Sequence, residues 1–194
     1  MIELLRLGFD DGVSADAMAE ALRRHGGEMP DETLDQLAAV LDRYLRAVPD
    51  AIATALAMSK DRHCGRAVAF ATGPILAYVF DEEDLFPEAS YGLLGMLDDA
   101  YLVHGFVAAL RRMLPFVESS AVAHEALDDR GSEIVAALLP EGVAQSLLRT
   151  CESTIQVAQA LFPSALDTDA AGVSHRPEVR VAAAVAAAGL RRSV

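Results

Sequence analysis

At 194 residues, with 53% apolar side chains and a net charge of −13, the chain is long enough for one buried core and too acidic to cover a nucleic-acid backbone or an anionic bilayer surface. No segment gathers its bases into a stripe, so the long-range field favours cations, divalent metals or a basic partner, while the charge also keeps an apolar-rich chain in solution. Two isolated cysteines, Cys64 and Cys151, are too few for a disulfide framework or a thiolate zinc site. A reducing compartment fits them, and the opening Met1, Ile2, Glu3 does not read as a secretory leader, so a cytoplasmic location is expected.

Leu and Ala dominate the apolar fraction and Trp is absent, a balance that favours helices because unbranched side chains lose least on entering one. Pro30, Pro49, Pro87, Pro115, Pro140, Pro163 and Pro177 recur at helix-length intervals, and proline is tolerated in a first turn but breaks a helix further in. Residues 1–7 are expected to form a short helix ending at Gly8. Ser14 should cap a helix over 15–25, with Gly26 and Gly27 stopping it. The next helix starts around Pro30, Asp31 and Glu32 and puts Leu34, Leu37, Val40, Leu41, Tyr44, Leu45 and Val48 on one face. A short segment, 49–58, leads to the centre of the chain.

Beyond the centre, Pro115 ends a helix, and Ser119 or Ser120 caps one running to Leu127. Gly131 and Ser132 open a brief helix that ends at Pro140. Residues 141–162 form the clearest amphipathic helix, with Val143, Leu147, Cys151, Ile155, Ala158 and Phe162 on one side, so Cys151 reads as a core thiol. The body is thus 1–162, followed by a polar linker, 163–176, and an Ala-rich C-terminal helix, 177–194. No run alternates with the period of a strand.

The central stretch carries the distinctive pattern. Residues 67–80 are almost all apolar, broken only by Thr72, Gly73 and Pro74. This run falls short of the roughly 20 residues a membrane crossing needs, so it reads as a buried helix and no span is expected. The chain then turns acidic at Asp81, Glu82, Glu83 and Asp84, passes Leu85, Phe86, Pro87 and Glu88, and becomes apolar again from Gly92, with Asp98 and Asp99 inside the second run.

This pattern resembles the YkvA-like family, a bacterial domain of unknown function. Tyr78, Val79 and Phe80 match the family's opening apolar residues. Asp84, Leu85, Phe86, Pro87 and Glu88 match its aspartate-to-aspartate core, and Gly95, Met96, Leu97, Asp98 and Asp99 match its closing motif. Asp81, Glu82 and Glu83 replace the usual serine-proline lead-in, and Tyr91 or Gly92 stands where a second proline often occurs. The resemblance covers residues 66–112 and implies two helices folded back on each other through a tight turn. It implies no activity, and the family's membrane-embedded relatives suggest a membrane protein as one class of partner.

Read from the residues alone, the second run places Met96, Asp99, Val103, Val107, Leu110 and Leu114 along one helical line, at about 100° per residue. Asp99 then points with the apolar face and Asp98 to another side. A carboxylate there needs partners, because burying it unpaired costs several kcal/mol. Three sets are open. The backbone of the 84–88 turn would lock the hairpin, with Asp84 as a cap. Arg66, Arg111 or Arg112 would form an ion pair. A hard cation, Mg²⁺ or Ca²⁺, would be held by Asp84, Asp98 and Asp99, with His104 at the border. His104 beside Asp98 or Asp84 has the chemistry of a general base, but a lone histidine reads more simply as part of the core or its rim. His63 and Cys64 beside Asp61 lack a second ligand pair, Ser119, Ser120 and His124 lack a nucleophile elbow, and no glycine-rich phosphate loop occurs.

The expected fold is all-α, a multi-helix bundle of about eight to ten helices around a central helical hairpin. Asp84, Pro87, Gly95, Asp98 and Asp99 form the structural motif of that hairpin, with no catalytic residue and no cofactor assigned. The expected function is a non-enzymatic interaction or adaptor protein that self-associates or meets a protein partner. The alternatives are a divalent-metal-dependent enzyme with its acidic site at the hairpin turn, and a peripheral partner of a membrane protein.

Overall fold

Ser14 opens the first described helix as a side-chain cap: its Oγ accepts the Ala17 N–H at 3.1 Å, and α1 runs Ala15–His25. This computed structural model describes residues 13–25, 29–61, 64–80, 88–113 and 129–163. Among them every regular element is helical and none is a strand, as the composition predicts. The helices expected over 1–7 and up to Leu127, the stop at Gly26 and Gly27, the acidic turn 81–87, and the chain after Pro163 lie outside the described residues.

Helix α2, Asp31–Arg46, follows Pro30, whose φ of −57° is already helical while its missing N–H is one the first turn could not use. Asp31 and Glu32 sit at its positive end. Its predicted face is buried at Leu34, Leu41, Tyr44 and Leu45, joined by Ala38, with Leu37 and Val40 at the half-buried border. After Ala47 the chain enters α3, Val48–Met58, with Pro49 in its first turn, so the expected short segment is a full helix. Arg46 fastens α2 to the start of α1, donating to the Val13 carbonyl and, at 2.9 Å, to Asp42.

The entry to α4, Gly65–Val79, is tight. Asp61 Oδ1 accepts the Cys64 N–H at 3.0 Å and the Asp61 carbonyl accepts the Gly65 N–H at 2.9 Å. A Cβ on Gly65 would stand 2.4 Å from the Ser59 carbonyl oxygen, so the approach admits only glycine. α4 continues through Pro74, with Thr72 returning its hydroxyl to the Val68 carbonyl at 2.8 Å. It is not the wholly buried helix that its composition predicts. Ala67, Val68, Ala71, Thr72 and Ile75 face inward, whereas Phe70 is 44% exposed and Phe80 57%.

A single turn, Glu88–Tyr91, and a 3₁₀ segment, Gly92–Met96, lead into α5, Leu97–Met113. Gly92 takes a φ of 58°, which glycine adopts without steric cost. α5 is the centre of the bundle and packs against α3, α4 and the two helices that follow it, α6, Asp129–Leu138, and α7, Val143–Leu161. Its side chains are buried on both sides: Val103, Val107 and Leu110 on one, Leu102, Phe106 and Ala109 on the other. The stretch Gly92–Arg112 is long and apolar enough to cross a membrane, with a mean hydropathy of 1.4, but 78% of its most apolar window is buried inside the bundle.

α6 begins before Gly131 instead of at it. That glycine is a point of contact, since a Cβ there would lie 2.7 Å from Cδ2 of Tyr44. Gly142, with φ of 80°, turns the chain into α7, whose predicted stripe is buried at Leu147, Cys151, Ile155 and Ala158. α7 lies along α5 and α4. Gly105 permits the close approach to α5, because a Cβ there would come within 2.8 Å of Leu148 Cδ2.

Candidate functional site

The two neighbouring carboxyl groups, Asp98 and Asp99, occupy the first turn of α5, where the helix dipole favours negative charge. Asp98 is 0% exposed and Asp99 5%. The wheel sends only Asp99 inward; the structure buries both, because α5 is covered on its two sides and has no outer face for Asp98 to occupy. Tyr78, in the last turn of α4, donates its hydroxyl to Asp98 Oδ2 at 2.8 Å. The end of α4 is therefore tied to the start of α5, and the described contact belongs to Asp98. Asp84 and Pro87, and with them the turn to which Asp99 was expected to bind, lie outside the described residues. Gly95 is buried in the 3₁₀ segment just before α5.

The arginines proposed for Asp99 are elsewhere. Arg111 and Arg112 sit at the far end of α5, roughly 20 Å along the axis at 1.5 Å per residue. Arg112 reaches Glu152 of α7 at 3.2 Å. Arg66 lies at the opposite end of α4 from Tyr78, its guanidinium 5.2 Å from the centre of the Phe162 ring.

His104 is a core residue, not a rim one. It is 2% exposed, and its Nε2 lies 3.0 Å from the Tyr44 carbonyl oxygen. A carbonyl only accepts, so Nε2 carries the proton. The two rings pack with centroids 4.3 Å apart, and the Tyr44 hydroxyl continues to Ser132 Oγ at 3.2 Å. Burial pushes the Tyr44 phenol well above its ordinary range. α2, α5 and α6 are thereby pinned to one another. Six positions separate Asp98 from His104 on α5, a rise of about 9 Å with a turn of about 240°, so the two side chains leave the helix in different directions and His104 takes the core role expected of a lone histidine. Among the described residues no group of three His, Cys, Asp or Glu is placed to hold a metal ion.

Both thiols are chemically quiet. Cys151 is fully buried in α7 with Sγ 3.4 Å from the Leu102 carbonyl, and burial pushes it up to about 12. Cys64 is pushed up to about 11, first by burial and then by its hydrogen bond to Asp61. At neutral pH neither supplies a thiolate. His63, the supposed companion of Cys64, lies outside the described residues.

Neither a family model, nor a curated protein, nor a solved structure matches the chain.

Among the described residues, the outward side of α4 presents an exposed apolar face. Phe70, Gly73, Pro74, Ala77 and Phe80 are exposed at the spacing of one helical face, and no charged residue intervenes between Arg66 and Asp81. At its Arg66 end this face meets the end of α7, where Phe162 packs edge-on against Phe70 at 5.9 Å. Sequence reasoning named neither Phe70 nor Phe162 as a surface residue, and it gave Tyr78 only a place in a motif. The available signal was the position of Tyr78, a phenol in the last turn of an apolar helix opposite a buried carboxyl group.

Proposed function

We propose that the protein is a non-enzymatic helical interaction module that self-associates or binds a protein partner through the outward face of α4. The observation that carries this reading is the exposure of Phe70 and Phe80 on a face that has no charge over its whole length. The interior supports it from the other side: Asp98 is engaged by Tyr78, His104 by Tyr44, and both cysteines are held as thiols. On this reading the full chain is a cytoplasmic bundle of about eight to ten helices around a YkvA-like hairpin at 66–112, with Asp98 as its brace. Light scattering on the full chain and on a chain lacking 165–194 tests it. The expected result is an assembly larger than one chain in at least one of the two, abolished by Phe70→Glu with Phe80→Glu. Monomers of both chains at every concentration would overturn self-association, and failure of the α4 face to retain any protein partner as well would overturn the whole reading.

A second reading, a divalent-metal-dependent enzyme, is favoured by two adjacent buried carboxyl groups at the start of α5; it would take Asp84, outside the described residues, as a third ligand, with His104 further along the helix. Binding to the native state raises the melting midpoint by mass action, so Mg²⁺, Mn²⁺ or Ca²⁺ at about millimolar concentration should raise it if such a site exists. No rise with any of the three removes this reading. The third reading, a peripheral partner of a membrane protein, would use the same α4 face.

A further inference from the structure

We infer that the outward face of α4 is the docking site of the chain's own C-terminal segment, 177–192, which runs along α4 in the same direction and competes there with any external partner. The described chain ends at the right place. Phe162 and Pro163 close α7, and Phe162 rests on Phe70 and under Arg66, at the beginning of the uncovered stripe. Residues 164–176 then bridge at most about 40 Å when extended, enough to turn the chain back onto the adjoining face. The segment suits the stripe in length, since 14 residues, 177–190, would span about 21 Å as a helix, and Phe70 to Phe80 spans about 15 Å along α4.

Apolar chemistry matches as well: 181–190 contains only Val, Ala, Gly and Leu, and faces a stripe of Phe, Gly, Pro and Ala. Charge then sets the direction. Glu178 faces Arg66 at the start of α4, and together with Arg180 it leaves the start of the segment without net charge there. Arg191 and Arg192 at its end complement both the negative end of the α4 dipole and the acidic sequence that follows Phe80. The reversed alignment would set Arg191 and Arg192 beside Arg66.

This inference rests on reading that face as an interaction surface, and hydrogen exchange on the full chain tests it separately. Amides of 178–190 should exchange at least about tenfold more slowly than an unstructured chain, and the protection should survive a tenfold dilution, on the order that would dissociate a second copy. Phe70→Glu with Phe80→Glu should remove that protection and leave α5 and α7 protected. Arg191→Glu with Arg192→Glu, which alters no described residue, should speed exchange in the segment by about threefold or more. Unprotected amides in 178–190, protection lost on dilution, or protection that survives the Phe70 and Phe80 substitutions would each overturn the inference. Unchanged exchange in the Arg191 and Arg192 variant would overturn the same-direction alignment. A monomer with a protected segment refutes self-association alone; an assembly with an unprotected segment refutes this inference alone.

Discussion

The Tyr78 hydroxyl donates to Asp98 Oδ2 at 2.8 Å, from the last turn of α4 to the first turn of α5. Tyr78 is half-buried and Asp98 fully buried, so the bond lies at the edge of the core. Removing the donor leaves a buried carboxyl group one partner short. Tyr78→Phe should therefore cost about 1–3 kcal/mol in urea unfolding, lowering the midpoint without changing the slope. Asp98→Asn keeps an acceptor and should cost less than Asp98→Ala. In a double-mutant cycle, Tyr78→Phe with Asp98→Ala should show a coupling of about 1 kcal/mol; additive effects would mean that the two side chains do not support each other.

The second interior contact is His104 on Tyr44. Because Nε2 donates to a carbonyl near the end of α2 and the Tyr44 ring packs on the imidazole, His104→Leu leaves that carbonyl unpaired while keeping the volume. We expect a loss of about 1–3 kcal/mol, with the α2 and α6 amides losing protection from exchange before those of α7. Ser132→Ala, which strips only the Tyr44 hydroxyl of a partner, should cost about 1 kcal/mol. A His104 variant as stable as wild type would move this residue out of the packing account.

Local features of this fold are legible in the sequence, and long-range ones are not. Ser14 caps α1, Pro30 precedes α2, and the Leu147, Cys151, Ile155 and Ala158 stripe of α7 is buried, because capping and helical spacing depend on residues a few positions apart. The Tyr78–Asp98 and His104–Tyr44 contacts join residues 20 and 60 positions apart, and no helical wheel contains its partner helix. Asp98 was sent outward because a wheel assumes one buried face, whereas α5 has two. α4 erred in the opposite direction: an apolar run records what a helix is made of and not which neighbours cover it, so Phe70 and Phe80 could not be told from core residues.

The thiols give a pH prediction. Cys151 rises from an ordinary 9.0 to about 12 and Cys64 from 9.0 to about 11, so the folded state holds both protonated more firmly than the unfolded chain does. Their contribution to stability is therefore complete below about pH 9 and is lost as pH rises through the folded values, between about 9 and 12. Unfolding midpoints should be flat in this respect near neutrality and fall across that alkaline window, and Cys151→Ala should flatten the fall while lowering stability overall. Iodoacetamide at neutral pH should modify neither cysteine until the chain unfolds. Rapid labelling of Cys151 in the folded state would contradict its burial.

Three glycines separate tight packing from mere proximity. A Cβ at Gly65 would meet the Ser59 carbonyl at 2.4 Å, and backbone cannot step aside. At Gly131 it would meet the Tyr44 ring at 2.7 Å, a ring already fixed by His104 and Ser132. At Gly105 it would meet only Cδ2 of Leu148 at 2.8 Å, the free end of a side chain that is 36% exposed and can rotate away. Gly65→Ala and Gly131→Ala should each cost about 1–3 kcal/mol through overpacking. Gly105→Ala gains up to about 1 kcal/mol by removing a mid-helix glycine, which offsets the shift of Leu148, so its melting midpoint should stay close to wild type. A Gly105 variant as damaged as the Gly65 one would show that α5 and α7 meet more rigidly than Leu148 allows, and that their contact, more than the hairpin brace, sets the stability of the bundle.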